Sequence, residues 1–410
     1  MVPKNKQSII AIAFITAICL AGDSMLYIVL PTHWKEARLT SLVQVGILLS
    51  VNRFVRLPLN PLIGFLYKKL NFRSGILLAV VLSGLTTISY GFVEDFNVWI
   101  IIRSIWGFAW SLFKLGAYLL ILQLSTDMNR GNFVGTYNGL YRLGSLFGML
   151  MGGFFADLFG MNVISMVLGI SAFISLPIIF KYIPKTIQTH ESVGKPSLLT
   201  NLSRSLNRRL ITILGTAFLL TMFLDGMLTA TLSHIIEVKF TDKINLLGII
   251  TGAASLAGVI QALRWGIAPF IVMKIGNMMD YAKQKNMMLS FFLACAFFLL
   301  CLIPLNIPLF FLLPILFIHL LVASILTTIM DAIVTDYSSK VSNKIFIMTA
   351  FTIIIDLGAA LGPIMGYSLE QKMGLTNVFW MAAMTCLFLT VMWFLPRNNH
   401  SNQNALKQHL

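Results

Sequence analysis

The sequence predicts an all-α membrane protein, with twelve transmembrane helices in two six-helix bundles. The bundles are related by a pseudo-two-fold axis along the membrane normal. Three observations predict it. The 410 residues are 57% apolar and only 11% charged, with a mean hydropathy of +0.84. A soluble chain carries about 25% charged residues, so this one cannot cover a water-facing surface. The apolar residues gather in runs long enough to cross a bilayer core, which needs about 20 residues per helix. The polar landmarks of the first half recur in the second.

The first run, about 8–30, follows Lys4 and Lys6. It exceeds the roughly 7–15-residue core of a cleaved signal peptide, so it reads as a retained helix. Spans 2 to 6 follow at about 41–66, 74–92, 98–124, 133–156 and 162–182. Spans 7 to 12 cover about 210–235, 246–279, 287–305, 308–333, 345–368 and 377–396. The eighth is too long for one straight crossing, and Gly266 and Pro269 offer places to bend. The longest polar stretch, 183–209, separates an N-terminal bundle (1–182) from a C-terminal bundle (210–396), with a tail at 397–410.

Charge sets the expected orientation. The formal net charge is +15, from 30 Lys and Arg against 15 Asp and Glu. With the N-terminus in the cytoplasm, 18 basic residues fall in cytoplasmic segments, 5 in outer loops and 7 within spans. That bias predicts a multi-pass protein of the cytoplasmic (inner) membrane with both termini inside. No basic stripe with interleaved aromatics lies on a polar segment, which argues against nucleic acid. Cys19, Cys295, Cys301 and Cys386 all lie in apolar runs, without metal-ligand or redox spacing. No HExxH, P-loop or Cys/His constellation is present, so neither an enzyme nor a metal or cofactor is expected. The loops are also too short for a sensor's output domain.

The halves repeat in order. Asp23-Ser-Met-Leu in span 1 returns as Asp225-Gly-Met-Leu in span 7. Arg53-Phe-x-x-x-Pro58 in span 2 returns as Arg264-Trp-x-x-x-Pro269 in span 8. Gly144-x-x-x-Gly148-x-x-x-Gly152 in span 5 returns as Gly358-x-x-x-Gly362-Pro363-x-x-Gly366 in span 11. A six-plus-six parallel repeat suggests a transporter whose site lies between two rocking bundles. The small residues permit close helix contact and read as the sliding surface between bundles.

With these features the chain resembles the major facilitator superfamily over about residues 8–396. Arg103-x-x-x-Gly107 in span 4 and Arg130-Gly131-x-x-x-Gly135 after it are similar to family patterns. The span 5 glycines resemble the signature of the family's drug:proton antiporters, although Met149 stands where that signature has proline. Gly64 and Arg73 match the family's 2–3 loop, with Lys68 in place of its acid. The second copy, Gly276 and Asp280, keeps the acid. The resemblance implies that this loop locks the bundles in one state.

A charge within the membrane costs at least about 2.5–3.5 kcal/mol, so each one calls for a reason. Asp23 and Asp225 lie about 22 Å from the inner face, with Arg53 and Arg264 at similar depth on the next helix. Each half is therefore expected to hold an Asp–Arg pair, serving either helix packing or proton coupling, with coupling favoured more at Asp23. Arg56, Lys114 and Arg142 lie near mid-depth, about 13–16 Å in, with Asp356 across the interface as their nearest acid. Three cations against one acid predict an anion site, because a guanidinium grips carboxylate or phosphate in bidentate fashion. Asn52, Tyr137, Asn138, Tyr141 and Gln261 are candidate neutral partners. Arg103 is expected near the outer end, snorkelling or bonded to helix carbonyls. His319 reads as a packing residue.

The expected function is proton-coupled efflux, by a monomer, of a small organic anion such as a carboxylate-type siderophore. Multidrug efflux of lipophilic compounds and uptake of an anionic nutrient are the alternatives.

Overall fold

The computed structural model describes residues 4–125, 130–185, 208–240, 244–246, 249–281, 284–339, 341 and 344–395. The first half contains α1 (Lys4–Val29), α2 (Leu42–Lys69), α3 (Phe72–Ser89), α4 (Phe96–Leu124), α5 (Arg130–Ala172) and α6 (Ser175–Tyr182). Two of these helices start on side-chain caps. Ser41 accepts from the Gln44 amide at the head of α2, and Asp95 accepts from Asn97 and Val98 at the head of α4. Such caps satisfy amide groups that have no partner within the helix.

The second half opens on α7 (Arg208–Leu220), a π-helical segment (Thr221–Met227) and α8 (Leu228–Lys239). An antiparallel hairpin of β1 (Ile244–Leu246) and β2 (Ile249–Thr251) follows. Then come α9 (Ala253–Tyr281), α10 (Lys285–Leu302), α11 (Leu309–Ser339), α12 (Lys344–Met373) and α13 (Leu375–Phe394). The apolar run expected to begin span 8 at 246 is therefore corrected. Its first residues pair as strands, and the helix begins at Ala253. Most of the linker 183–209 and all of the tail 397–410 lie outside the described residues.

Among the described residues eleven helices are long and apolar enough to cross a bilayer. One of them, Asn132–Tyr182, has 51 residues. At 1.5 Å per residue that is about 76 Å, more than twice a hydrocarbon core of about 30 Å. Gly160 divides it, with φ 82° and ψ 163° inside α5. The repeat places Gly374 at the matching corner between α12 and α13, with φ 81° and ψ 154°. Both conformations are open to glycine and strained for other residues. Twelve crossings return the chain to its starting side, here called the termini face; the opposite side is the far face.

The glycine stripes require a correction. Gly144, Gly148 and Gly152 press on Ala17, Ala21 and Met25 of α1, inside the first bundle. Gly358, Gly362 and Gly366 press on Thr221, Met222, Met227 and Thr231, inside the second. They lock helices within each bundle and are not the sliding surface. The surface between bundles uses other glycines: Gly46 against the Pro363 carbonyl, Gly153 against the Ala254 carbonyl and Gly258 against the Met149 carbonyl. All three contacts lie in the far halves of their helices, so the α2–α12 and α5–α9 seams are shut at the far face. Toward the termini face, a Cβ added at Gly135, Gly139 or Gly266 would meet nothing within 4 Å.

Gly148→Leu should yield no monodisperse folded protein, because the new side chain must displace the α1 backbone at Ala21. Gly135→Leu, facing open space, should assemble like the parent. Size-exclusion profiles of fluorescent fusions compare the two.

Candidate functional site

The interior charges converge on one cavity of about 410 Å³ at the junction of the bundles. Asp23, Arg53, Arg56, Lys114 and Arg142 line it from the first bundle, and Asp225, Arg264 and Asp356 from the second. An adjoining cavity of about 410 Å³ shares Arg142, Asp225, Arg264 and Trp265 and adds Asp331. Asn138 is half-buried on α5 and lines neither cavity.

Two acids in the cavity wall are already paired. Asp23 forms an ion pair with Arg103, not with Arg53 as expected. The Arg103 side chain is fully buried and that of Asp23 is 7% exposed. Arg103 neither snorkels nor lies at a rim. Its Nε donates to the Leu48 carbonyl at 2.9 Å and Nη1 to the Tyr90 hydroxyl at 3.2 Å. Asn52 Nδ2 donates to the same Asp23 oxygen at 3.3 Å. Depth along the helix axes did not settle the partner of Asp23, because the rotation of α4 turns Arg103 inward. Gly107, one turn along, brings the α4 backbone against Asn52 of α2 and sets that approach. In the second half, Arg264 Nη2 lies 3.3 Å from Asp225 Oδ1. Here the acid is 34% exposed and the arginine 5%. Asp225 sits in the π-helical segment, where the wider turn disturbs the backbone ladder. Such bulges recur at functional sites.

The other four cations, Arg53, Arg56, Lys114 and Arg142, have no carboxylate within 4.0 Å among the described residues. Aromatic faces and neutral groups hold them instead. Arg53 lies 5.6 Å from the Tyr27 ring centre. Arg56 lies 5.9 Å from Trp110 and donates to its own helix at the Asn52 carbonyl, 3.0 Å away. Lys114 lies 6.0 Å from Trp110, 5.4 Å from Tyr118 and 5.1 Å from Tyr141. Arg142 reaches across the interface to Trp265 at 5.7 Å, and Arg264 covers the same ring at 5.1 Å. A ring face offers a cation about 0.5–2 kcal/mol, less than a carboxylate would, so these groups keep unspent capacity for an anion.

The tryptophans are the site residues that the reading of charges missed. A signal was present, since Trp106, Trp110, Lys114 and Tyr118 recur every four residues along one face of α4. Asp356 and Asp331 are exposed, and neither joins an ion pair within 4.0 Å among the described residues. Gln261 and His319 are fully buried in the second bundle with no hydrogen-bond partner among the described residues.

Two overlapping stretches, residues 12–271 and 265–410, match the Major Facilitator Superfamily. The chain belongs to the major facilitator superfamily. It is accordingly a multi-pass membrane transporter. Solved structures share this superfamily fold at low identity. A bacterial homolog of the human lysosomal transporter Spinster, inward-facing and occupied, aligns with TM-score 0.73 and 13% identity. The alignment covers 94% of this chain and 95% of that one. The nucleoside transporter NupG gives TM-score 0.72 and 14% identity over 96% and 98% of the two chains. A D-xylose–proton symporter gives 0.71 and 13% over 96% and 98%. No curated protein matches the chain by sequence.

One superfamily landmark behaves differently from its expected role. Arg73 donates through Nε and Nη2 to the Ile183 carbonyl at 2.9 and 2.6 Å. It therefore caps the end of α6 in its own bundle and makes no bridge to the other among the described residues. A Cβ added at Gly64 would meet Leu115 of α4, also in its own bundle, and nothing else within 4 Å among the described residues. The backbones of Gly276 and Asp280 belong to α9, but the Asp280 side chain lies outside the described residues.

Asp23→Ala should destabilise the protein by roughly 3–5 kcal/mol, because it strands a buried guanidinium. Adding Arg103→Met should restore more than half of that loss. Graded detergent unfolding of the single and double variants measures both.

Proposed function

We propose that this transporter exports a small organic anion of the carboxylate-chelator class, such as a siderophore, in exchange for protons across the cytoplasmic membrane. In this reading the termini face is cytoplasmic. The supporting observation is the surplus of four carboxylate-free cations at the cavity between the bundles. Arg56, Lys114 and Arg142 bind the substrate's carboxylates, trading ring faces for charged hydrogen bonds, and Asp356 limits the net charge accepted. Shut far seams suit loading from the cytoplasm.

The exposed pair is the better coupling element. Both acids line the cavity, but Asp225 is 34% exposed against 7% for Asp23, so Asp225 takes the proton and Arg103–Asp23 holds the bundle together. Once protonated, Asp225 no longer holds Arg264, which keeps its Nε bond to the Ser324 hydroxyl at 3.2 Å and is then free to turn toward the anion. With the far face open, the proton enters and the anion leaves; on return, the proton is released to the cytoplasm. An anion moving out and a proton moving in both carry positive charge inward, so an inside-negative potential drives the exchange.

A second reading, uptake of an anionic solute, is favoured by one feature: Met149 replaces the antiporter motif's proline. Vesicle orientation separates the two. Inverted vesicles should accumulate labelled citrate, the simplest chelator of this class, when the lumen is acid, and a protonophore should abolish it. Arg142→Gln, at an exposed position, should lower apparent affinity about tenfold with normal folding. Accumulation that ignores the gradient rejects proton exchange. Gradient-driven accumulation in right-side-out vesicles alone selects uptake.

A further inference from the structure

At the far face lies a second polar cluster, apart from the cavity. Helix α9 begins at Ala253, and the Leu256 amide bonds back to the Gly252 carbonyl at 3.3 Å. Gly252 therefore occupies the N-cap, where it has no side chain to receive the free amides of the first turn. The cap comes from the other bundle. Asp157, on the last turn of α5 before Gly160, accepts from the Ser255 amide at 2.8 Å and the Ser255 hydroxyl at 2.5 Å. A Cβ at Gly252 would collide with that carboxylate, so the glycine makes the room it fills. The other Asp157 oxygen lies 3.8 Å from His33 Nε2, and His33 stands 3.9 Å from Glu36. Glu36 in turn accepts from the Met161 amide at 3.2 Å, at the head of the helix after Gly160.

The second half holds the counterpart, and the two differ in one respect. His234 lies 2.7 Å from Glu370 and 3.6 Å from Glu237, matching His33 with Asp157 and Glu36. That cluster joins α8 to α12 within one bundle. Glu370 bonds His234 through Oε1, and its Oε2 has no hydrogen-bond partner among the described residues. The first cluster alone bonds across the interface.

We propose that Asp157 is a latch that holds the far face shut by capping α9 from the opposite bundle. Parting the α5–α9 seam pulls the carboxylate away and leaves the Ser255 amide uncapped in the opening. The latch thus biases the transporter toward the state open at the termini face, and it acts on one seam only. This rests on the rocking of two bundles and not on the identity of the cargo.

Distances between spin labels at Thr40 and Gln371 test it. Both positions are exposed at the far face, one on each bundle. The full chain, with its native cysteines replaced, is measured in lipid nanodiscs. Asp157→Ala should raise the ratio of far-open to far-closed molecules roughly fivefold, the usual effect of losing a helix cap. Gly252→Ala should do the same by expelling the carboxylate, and it decides the matter alone if Asp157→Ala does not fold. Asp157→Asn should stay near the parent, because its amide oxygen still accepts from both Ser255 donors. Parent-like distances in both alanine variants overturn the proposal. So does an Asp157→Asn variant as open as Asp157→Ala.

Discussion

Hydrocarbon gives a charge nothing to hold, and that constraint organises this protein. Arg103 shows how far it reaches. Its side chain is fully buried, and the structure surrounds it with Asp23, the Leu48 carbonyl and the Tyr90 hydroxyl. Those partners come from α1, α2 and the end of α3, so one guanidinium ties four segments of the first bundle together. The wider cavity is the inverse case. There the cations are left to aromatic faces, and the walls can remain so only because the space between the bundles admits water or cargo.

The two halves answer the same constraint in unequal ways. Asp23 lies in a regular helix and its partner comes from the fourth span. Asp225 lies in a π-helical segment and its partner comes from the eighth span, the second of its own half. The acid of the first pair is nearly buried at the cavity wall, and that of the second is a third exposed. A duplicated framework has thus separated a structural acid from an exposed one while keeping both at the same place in the repeat.

Much of the fold was legible because membrane spans are written in long apolar runs, and the order of the twelve follows from them. What was lost depends on rotation about helix axes. Depth alone set Asp23 beside Arg53, whereas the turn of α4 brings Arg103 to it. Gly144 and Gly148 announce a close helix contact but not which helix, and the answer is α1 in the same bundle. The stretch from 246 to 251 reads as helix in sequence because an apolar run has no period that separates helix from strand. At the site, charged residues were found because each is rare in a membrane. Trp110 and Trp265 were overlooked because aromatic residues are common there. Gly252 and Asp157 carry no signal in the sequence, since a cap supplied from another segment has no local spacing to betray it.

Gly160 and Gly374 turn the chain through nearly the same dihedral angles at corresponding corners of the two halves. A side chain at either position would meet the same backbone strain, so both halves depend on glycine to fold the chain back at the far face, whatever charges surround the corner.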